Sequence, residues 1–175
     1  IQAIEFEDVD NINITSKVYL NTNPDSNLLS CESIILNQSN NLSLSKGKEH
    51  TIWLKLLNTT QAEYEGYLFF SNSGIERISV EQTKNGLTKT FKQLESQPLH
   101  QKTYNHQNCV FPFSLNQGDT MTLKINLFEP NTLLLTDLRL LNQKGLDIYN
   151  RKNYAFLGFY LGLELLVLLL VPFMY

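Results

Sequence analysis

One apolar segment constrains this chain more than any other feature: YAFLGFYLGLELLVLLLVPFMY, from Tyr154 to Tyr175. As a helix it would be roughly 33 Å long, which matches the hydrocarbon core of a bilayer. A buried helix of a soluble protein is the alternative, but such a helix keeps a polar face. Here Glu164 is the one charged residue. The segment therefore predicts a transmembrane helix, with the lipid bilayer as its first partner.

Three residues inside the segment indicate how this helix packs. Gly158 and Gly162 form a G-x-x-x-G pair, which lets a neighbouring helix approach closely. A carboxylate in lipid is costly unless it faces protein or water, so Glu164 either meets partner helices or stays protonated. We expect the first, with further transmembrane helices of the same chain packing on these three residues.

The preceding residues have the period of strands. In Met121–Leu127 apolar and polar residues alternate strictly, as in a half-buried strand. Further strands are predicted at 51–57, 64–71, 75–82, 110–115 and 133–140, and weaker ones at 1–7 and 34–44. This pattern predicts a jelly-roll-like β-sandwich over residues 1–150. A juxtamembrane segment and the membrane helix follow over residues 151–175.

Turn residues separate the predicted strands. Asn72-Ser73-Gly74 stands between two of them, at the spacing of a tight hairpin. The polar segment 83–108 predicts a second hairpin followed by a long loop.

The net charge and the catalytic motifs of the sequence bear on two classes of function, nucleic-acid binding and catalysis. Fourteen Lys and Arg against 17 Asp and Glu give a net charge of -3, so there is no basic excess for phosphates and we expect no nucleic-acid partner. No G-x-S-x-G, H-E-x-x-H, C-x-x-C or P-loop motif occurs. We therefore expect no enzymatic activity in these residues. A membrane-anchored hydrolase, the enzyme alternative, would need a carboxylate pair.

Histidines and cysteines offer little metal chemistry. His100, His106 and Cys109 resemble a zinc site only loosely, so we expect no bound metal and expect these two histidines and His50 to be solvated loop residues. Cys31 and Cys109 form either a long-range disulfide or two separate buried thiols.

Acidic residues cluster near the N-terminus. Such a group either holds Ca²⁺ or forms a solvated strand end, and we expect the second, with no cofactor. The four residues are Glu5, Glu7, Asp8 and Asp10.

The single tryptophan is the first candidate for ligand binding. Trp53 alternates with Ile52 and Leu54, so it lies on the opposite face of its strand. Either this face packs on a second sheet, or the open ring beside Lys55 is a platform for the C–H face of a sugar. Tyr64 and Tyr67 would extend such a surface.

Three stretches, in this order, resemble one known family. TIWLKLLNTT is similar to a strand of that family that carries Trp, with Asn58 at its end, although Lys55 stands where the family usually has Arg. CVFPFSLNQGDTMTLKINL resembles its turn and strand, with Phe111 and Gly118 at matching points. The apolar segment resembles its first membrane helix. The family is the bacterial seven-transmembrane receptors with diverse intracellular signalling modules, in their second type of extracellular domain.

This resemblance implies a function. It implies a jelly-roll domain similar to carbohydrate-binding modules, on the periplasmic or extracellular side of the cell inner membrane. The domain would bind carbohydrate or a related small molecule, and the resemblance together with the aromatic strand residues nominates five side chains for it: Trp53, Lys55, Asn58, Tyr64 and Tyr67.

The resemblance also implies an output. We expect the sequence to be a piece of a longer chain, whose seven-helix bundle passes the signal to a cytoplasmic kinase or cyclase module beyond Tyr175. A second copy of the chain, in a homodimer, is a further partner to expect. The alternative is a single-pass, membrane-anchored carbohydrate-binding or adhesion protein.

Overall fold

The computed structural model describes residues 3–6, 11–14, 19–21, 34–36 and 41–170. Within these residues the chain is mainly β and ends in one long helix, α1 (Gln143–Leu170). The strands are β1 (Ala3–Phe6), β2 (Asn11–Asn13), β3 (Tyr19–Asn21), β4 (Ile34–Leu36), β5 (Leu42–Leu44), β6 (Lys48–Asn58), β7 (Tyr64–Phe70), β8 (Arg77–Lys84), β9 (Leu87–Leu94), β10 (Cys109–Leu115), β11 (Thr120–Glu129), β12 (Leu134–Thr136) and β13 (Leu138–Leu141).

The described strands form two larger sheets and one two-stranded sheet. The larger sheet has the order β4-β3-β6-β11-β8-β9, and β1 pairs with β6 in parallel. The smaller sheet has the order β10-β7-β13-β2, and β12 pairs separately with β5. The predicted class, a mainly β, sandwich-like domain followed by one apolar helix, is confirmed. The jelly-roll connectivity stays a prediction.

The main core lies between the two sheets, because alternation sends every second residue inward. In β11 the side chains of Met121, Leu123, Ile125 and Leu127 are buried, while Lys124 and its even-numbered neighbours are half-exposed. The smaller sheet contributes large side chains to the same core, among them Leu68, Phe70, Phe111 and Leu140. Burying each such side chain stabilises the fold by about 1.5–3 kcal/mol.

A second apolar cluster covers the outer face of the smaller sheet. Phe69, Val110 and Leu141 point away from the main core and pack with Leu146 of α1. The helix begins at Gln143, and Asn142 caps it, since its Oδ1 accepts a hydrogen bond of 2.8 Å from the Gly145 N–H. The domain boundary predicted at residue 150 therefore falls inside a continuous helix.

Beyond this contact α1 leaves the domain. Every side chain from Tyr154 to Leu170 is exposed. The helix is long and apolar enough to cross a membrane, with a mean hydropathy of 1.8 over 18 residues. Both observations agree with the transmembrane helix predicted from sequence.

The hairpin predicted at Asn72-Ser73-Gly74 is wrong, because β7 and β8 belong to different sheets. The connection crosses from one sheet to the other and is fixed by side-chain hydrogen bonds. Asn72 Oδ1 accepts from the Gly74 N–H at 2.9 Å, and Asn72 Nδ2 donates to the Leu135 carbonyl at 3.1 Å. The fully buried Ile75 anchors its far end.

The hairpin predicted within 83–108 is present and joins β8 to β9. Its two turn residues are Asn85 and Gly86, with φ of 51° and 78°, as a type I′ turn requires. The strand predicted over 133–140 is interrupted at Asp137, because β12 pairs with β5 whereas β13 pairs with β7. The Asp137 N–H donates to Ser71 Oγ at 3.0 Å instead of continuing the ladder.

Candidate functional site

A cleft of about 610 Å³ lies where the sandwich opens at one edge. One wall is β10, the edge strand of the smaller sheet, with its neighbour β7. The other wall is the β8–β9 hairpin of the larger sheet. The cleft is lined by Glu65, Gly66, Tyr67, Gln82, Lys84, Asn85, Leu87, Lys89, Phe91, Pro112, Phe113, Ser114 and Met121.

The inward face of β9 shows why the sandwich opens. Gln93 is 1% exposed and its Nε2 donates to Cys109 Sγ of β10 at 3.2 Å, so the two walls touch there. Phe91 is half-buried against Phe111, with ring centroids 6.3 Å apart. Lys89 is exposed and Leu87 is 76% exposed. The walls therefore separate progressively towards the Asn85–Gly86 turn.

Side chains of β8 bridge the cleft to the free edge of β10. Gln82 Nε2 donates to the Pro112 carbonyl at 3.0 Å, and Lys84 Nζ donates to the Ser114 carbonyl at 3.4 Å. Lys84 also pairs with Asp119, at 2.8 Å between Nζ and Oδ2. The hydrogen bond from Lys84 lowers the pKa of Asp119, so this carboxylate stays charged and holds the lysine in place.

The apolar wall of the cleft depends on a glycine. A Cβ on Gly66 would lie 2.5 Å from Cε1 of Tyr64 and 2.7 Å from Cζ of Phe113. These two rings are 6.0 Å apart between centroids. The absent side chain lets both rings pack over β7, and Phe113 then faces the cleft.

Tyr67 connects the cleft to the helix. It lines the cleft, and its ring packs edge-on against Tyr104, with centroids 5.1 Å apart. Its hydroxyl donates a hydrogen bond of 2.6 Å to Oε1 of Gln143, the first residue of α1. Burial, with the nearby Tyr104 and the acids Glu65 and Asp147, raises the pKa of Tyr67, so the phenol remains a donor at neutral pH.

Residues 25–140 match the family model described as 7TMR-DISM extracellular 2. The match spans more than half of the chain. The chain belongs to this family. It is thus the outward-facing sensor domain of a membrane receptor, joined to a helix that could span the membrane.

Other comparisons add little. No curated protein matches the sequence. Among solved structures the insecticidal crystal protein Cry2Aa matches with a TM-score of 0.33 and 17% identity, over 61% of this chain. The receptor domain spans 17% of the length of that structure. A likeness this weak has no bearing on its fold or function.

Trp53 and Lys55 lie on the outer face of the larger sheet, away from the cleft. Trp53 is 8% exposed, and the ammonium of Lys124 stands 5.4 Å from its ring centroid. Its Nε1 has no hydrogen-bond partner within the described part of the chain. Lys55 is half-buried on the same face.

Asn58 and Tyr64 are both buried. Asn58 is fully enclosed, and its Nδ2 donates to the carbonyls of Ala62 and Leu115, each at 2.9 Å. Tyr64 is 6% exposed and belongs to the main core. The five nominated side chains therefore do not form one surface, and among the described residues Tyr67 is the member that lines the cleft. Their binding role stays a prediction.

The nominated helix residues lie on two faces of α1. A Cβ on Gly158 or Gly162 would meet nothing within 4 Å in the described structure. At about 100° per residue, Gly158 and Gly162 are close together on one face. Glu164 lies about 160° away from Gly162 around the axis. Packing on all three residues stays a prediction, and it would need neighbours on opposite sides of the helix.

Two of the three histidines differ from the expectation of solvated loops. His106 is 7% exposed: its Nδ1 accepts from the Asn108 N–H at 2.9 Å and its Nε2 lies 2.7 Å from Asn150 Oδ1 of α1. With Nδ1 as acceptor, the neutral ring donates through Nε2. His50 lies in β6, where its Nε2 accepts from the Ser45 N–H at 2.9 Å. Burial lowers the pKa of His50.

The cysteine and metal predictions are only partly covered by the structure. Cys109 is buried, which raises the pKa of its thiol to about 11, and Cys31 lies outside the described residues. The disulfide therefore stays a prediction. The acidic cluster is also outside the description, except for the backbone of Glu5. Within the described ranges no group of three potential metal ligands occurs.

Sequence reasoning missed the cleft residues of the β8–β9 hairpin. Lys84, Lys89 and Phe91 lie in the polar segment 83–108, which we interpreted only as a hairpin and loop, and Gln82 is the last residue of the predicted strand 75–82. The Asn85–Gly86 pair was the available signal, since it fixes the register and puts these four side chains on one face.

Proposed function

We propose that this domain binds a carbohydrate or a related small molecule in the edge cleft. Binding would be transmitted through α1 to a seven-helix bundle and a cytoplasmic signalling module. The observation that carries this proposal is the position of Tyr67, which lines the cleft and holds the first residue of α1 by a hydrogen bond of 2.6 Å.

The lining of the cleft supports a small-molecule ligand. A volume of about 610 Å³ falls in the usual range of ligand sites, which is about 300–1,000 Å³. The half-buried ring of Phe91 and the exposed side chain of Leu87 supply an apolar surface for the C–H face of a sugar, and the buried Phe113 and Met121 extend the apolar lining. The exposed Asn85 supplies an amide donor and acceptor for hydroxyl groups.

Three contacts support transmission from the domain to the helix. The Tyr67–Gln143 hydrogen bond is the first, and the His106–Asn150 hydrogen bond is the second. The third is the edge-on packing of Tyr149 against Phe69, with ring centroids 4.6 Å apart. They fix the first two turns of α1 to the smaller sheet and to the loop that precedes β10. A ligand that favours one arrangement of β7 and β10 would therefore shift the equilibrium position of the helix.

Glu164 favours a bundle over a single-pass anchor. A carboxylate in the membrane-spanning part of a helix is stabilised by protein neighbours, and the glycine pair offers a second contact face on the other side of α1. A lone anchor helix gains from neither feature.

The test is thermal unfolding of the full chain in nanodiscs across a panel of neutral and acidic oligosaccharides. We expect at least one saccharide to raise Tm, and Leu87→Asp to abolish the rise. Leu94→Asp is the matched control, because Leu94 is an exposed leucine of the same strand that does not line the cleft. A flat response to every saccharide, or an equal loss in both variants, would count against the proposal.

Transmission is tested by hydrogen exchange in the same nanodiscs. Ligand should change the exchange of backbone amides in residues 143–150, and Leu87→Asp should remove that change. If a saccharide binds but the exchange of these amides does not change, the proposed transmission from the cleft to α1 is wrong.

A further inference from the structure

One of the lysines that line the cleft, Lys89, has no carboxylate partner among the described residues. Two lysines line the cleft, on the two strands of the hairpin. Lys84 is neutralised by Asp119 at 2.8 Å. Within the described residues no carboxylate lies within 4.0 Å of the Lys89 ammonium, since the ion pairs there are those of Arg77, Lys84 and Arg139.

Lys89 is directed into the cleft by the register of the hairpin. Lys89 pairs with Gln82, and Leu87 pairs with Lys84, so all four side chains share the inward face of the larger sheet. The carboxylate that does line the cleft, Glu65, comes from β7 on the opposite wall. Lys89 is thus a cation beside the aromatic ring of Phe91, two residues along the same strand.

This combination selects for a particular ligand chemistry. The ring of Phe91 suits the C–H face of a sugar ring, and the exposed amide of Asn85 suits its hydroxyls. An ammonium next to such a wall forms a charge-assisted hydrogen bond with an anionic group, which is about twice as strong as a neutral one. We infer that the cleft recognises an acidic saccharide, whose ring carboxylate binds Lys89 while the ring stacks on Phe91. This inference rests on the proposed function of the cleft.

The test compares each acidic sugar with its own methyl ester, which has the same ring and nearly the same size but no charge. The probes are disaccharides that contain glucuronate, galacturonate or mannuronate, each as free acid and as ester. Affinities are measured by calorimetry on the full chain in nanodiscs at fixed salt. For at least one pair we expect the acid to bind tenfold tighter or more, and Lys89→Gln to reduce the preference to less than twofold.

Lys92→Gln is the matched control, since Lys92 is an exposed lysine of the same strand on its outward face. It should leave the preference unchanged. Both lysines are exposed, so neither substitution disturbs the core, and equal Tm values will verify this.

The outcomes separate the two proposals. Equal binding of acid and ester in every pair overturns the acidic-ligand inference but leaves a sugar-binding cleft. An acid preference that survives Lys89→Gln also overturns it, because the carboxylate then binds elsewhere. If neither the acids, nor the esters, nor any saccharide of the wider panel binds, the proposed function itself fails.

Discussion

The hydroxyl of Tyr67 in β7 donates a hydrogen bond of 2.6 Å to Oε1 of Gln143, the residue at which helix α1 begins. One residue thus contacts the cleft and the helix that continues into the apolar segment. The Gln143 side chain is held from its other end as well, because its Nε2 donates to Asp147 Oδ1 at 3.0 Å. The first turn of α1 is therefore bound directly to β7 through the side chain of Gln143.

Removing this hydrogen bond should weaken the joint without unfolding the domain. For Tyr67→Phe we expect a loss of about 0.5–1 kcal/mol in the free energy of unfolding, the usual net value of such a bond. Gln143→Met should cost more, because it also removes the hydrogen bond from Gln143 Nε2 to Asp147. The double variant should then cost no more than Gln143→Met alone, since Tyr67 acts through its contact with Gln143. Fully additive effects in denaturant titrations would show that the contact contributes nothing.

Gly66 should tolerate no side chain. For Gly66→Ala we expect a destabilisation of about 1–3 kcal/mol, because the new methyl group overlaps the rings of Tyr64 and Phe113. Gly74→Ala is the control, since its Cβ would meet Asn72 Oδ1 at 3.4 Å, an ordinary contact. Chemical denaturation of both variants measures the difference. Equal stabilities would mean that the two rings can move aside freely.

Asn58 should act on stability rather than on ligand affinity. Asn58→Ala leaves the buried Leu115 carbonyl without the donor at 2.9 Å, and removes the acceptor of the Thr60 N–H. We expect a loss of about 1–3 kcal/mol in the free energy of unfolding. Saccharide affinity, measured below the unfolding transition, should be unchanged. A selective loss of affinity at unchanged stability would restore Asn58 as a binding residue.

His50 should make the domain less stable in mild acid. Its folded-state pKa lies below the ordinary value of 6.5, so the unfolded chain binds the proton first. The contribution of neutral His50 to stability is complete above about pH 6.5 and is lost as the pH falls below it. His50→Gln, which keeps an acceptor for the Ser45 N–H, should reduce the fall in Tm between pH 7.5 and pH 5. His100→Gln, at an exposed position, should follow the wild type.

Strands with strict alternation could be predicted from sequence, and their order in the sheets could not. The alternation of apolar and polar residues in β11 predicts which side chains face the core. The structure confirms this prediction for the four inward residues, Met121, Leu123, Ile125 and Leu127. Nothing local at Asn72-Ser73-Gly74 distinguishes a hairpin from a crossing between sheets. That choice depends on partners far away in sequence, such as the Leu135 carbonyl that accepts from Asn72.

The candidate site was harder to predict than the fold. A sequence search for binding residues favours aromatic side chains, and it selected Trp53, Tyr64 and Tyr67. Burial of Trp53 and Tyr64 is decided by what packs on them, which alternation alone does not specify. The cleft instead results from the divergence of β9 from β10, between residue pairs that are distant in sequence. Its lysines and amides look like ordinary surface residues until the two walls are in place.

Helix α1 passes from Asn150, whose Oδ1 is bound to His106, to Tyr154 and the apolar segment without a break. The contacts of the first two turns therefore determine the rotational phase of the apolar segment, that is, the direction in which each of its sides points. One residue inserted at Lys152 would turn Gly158 and Glu164 by about 100°, whereas seven would return them to within about 20°. Signalling in such an insertion series should vary with the helical repeat rather than with the length added.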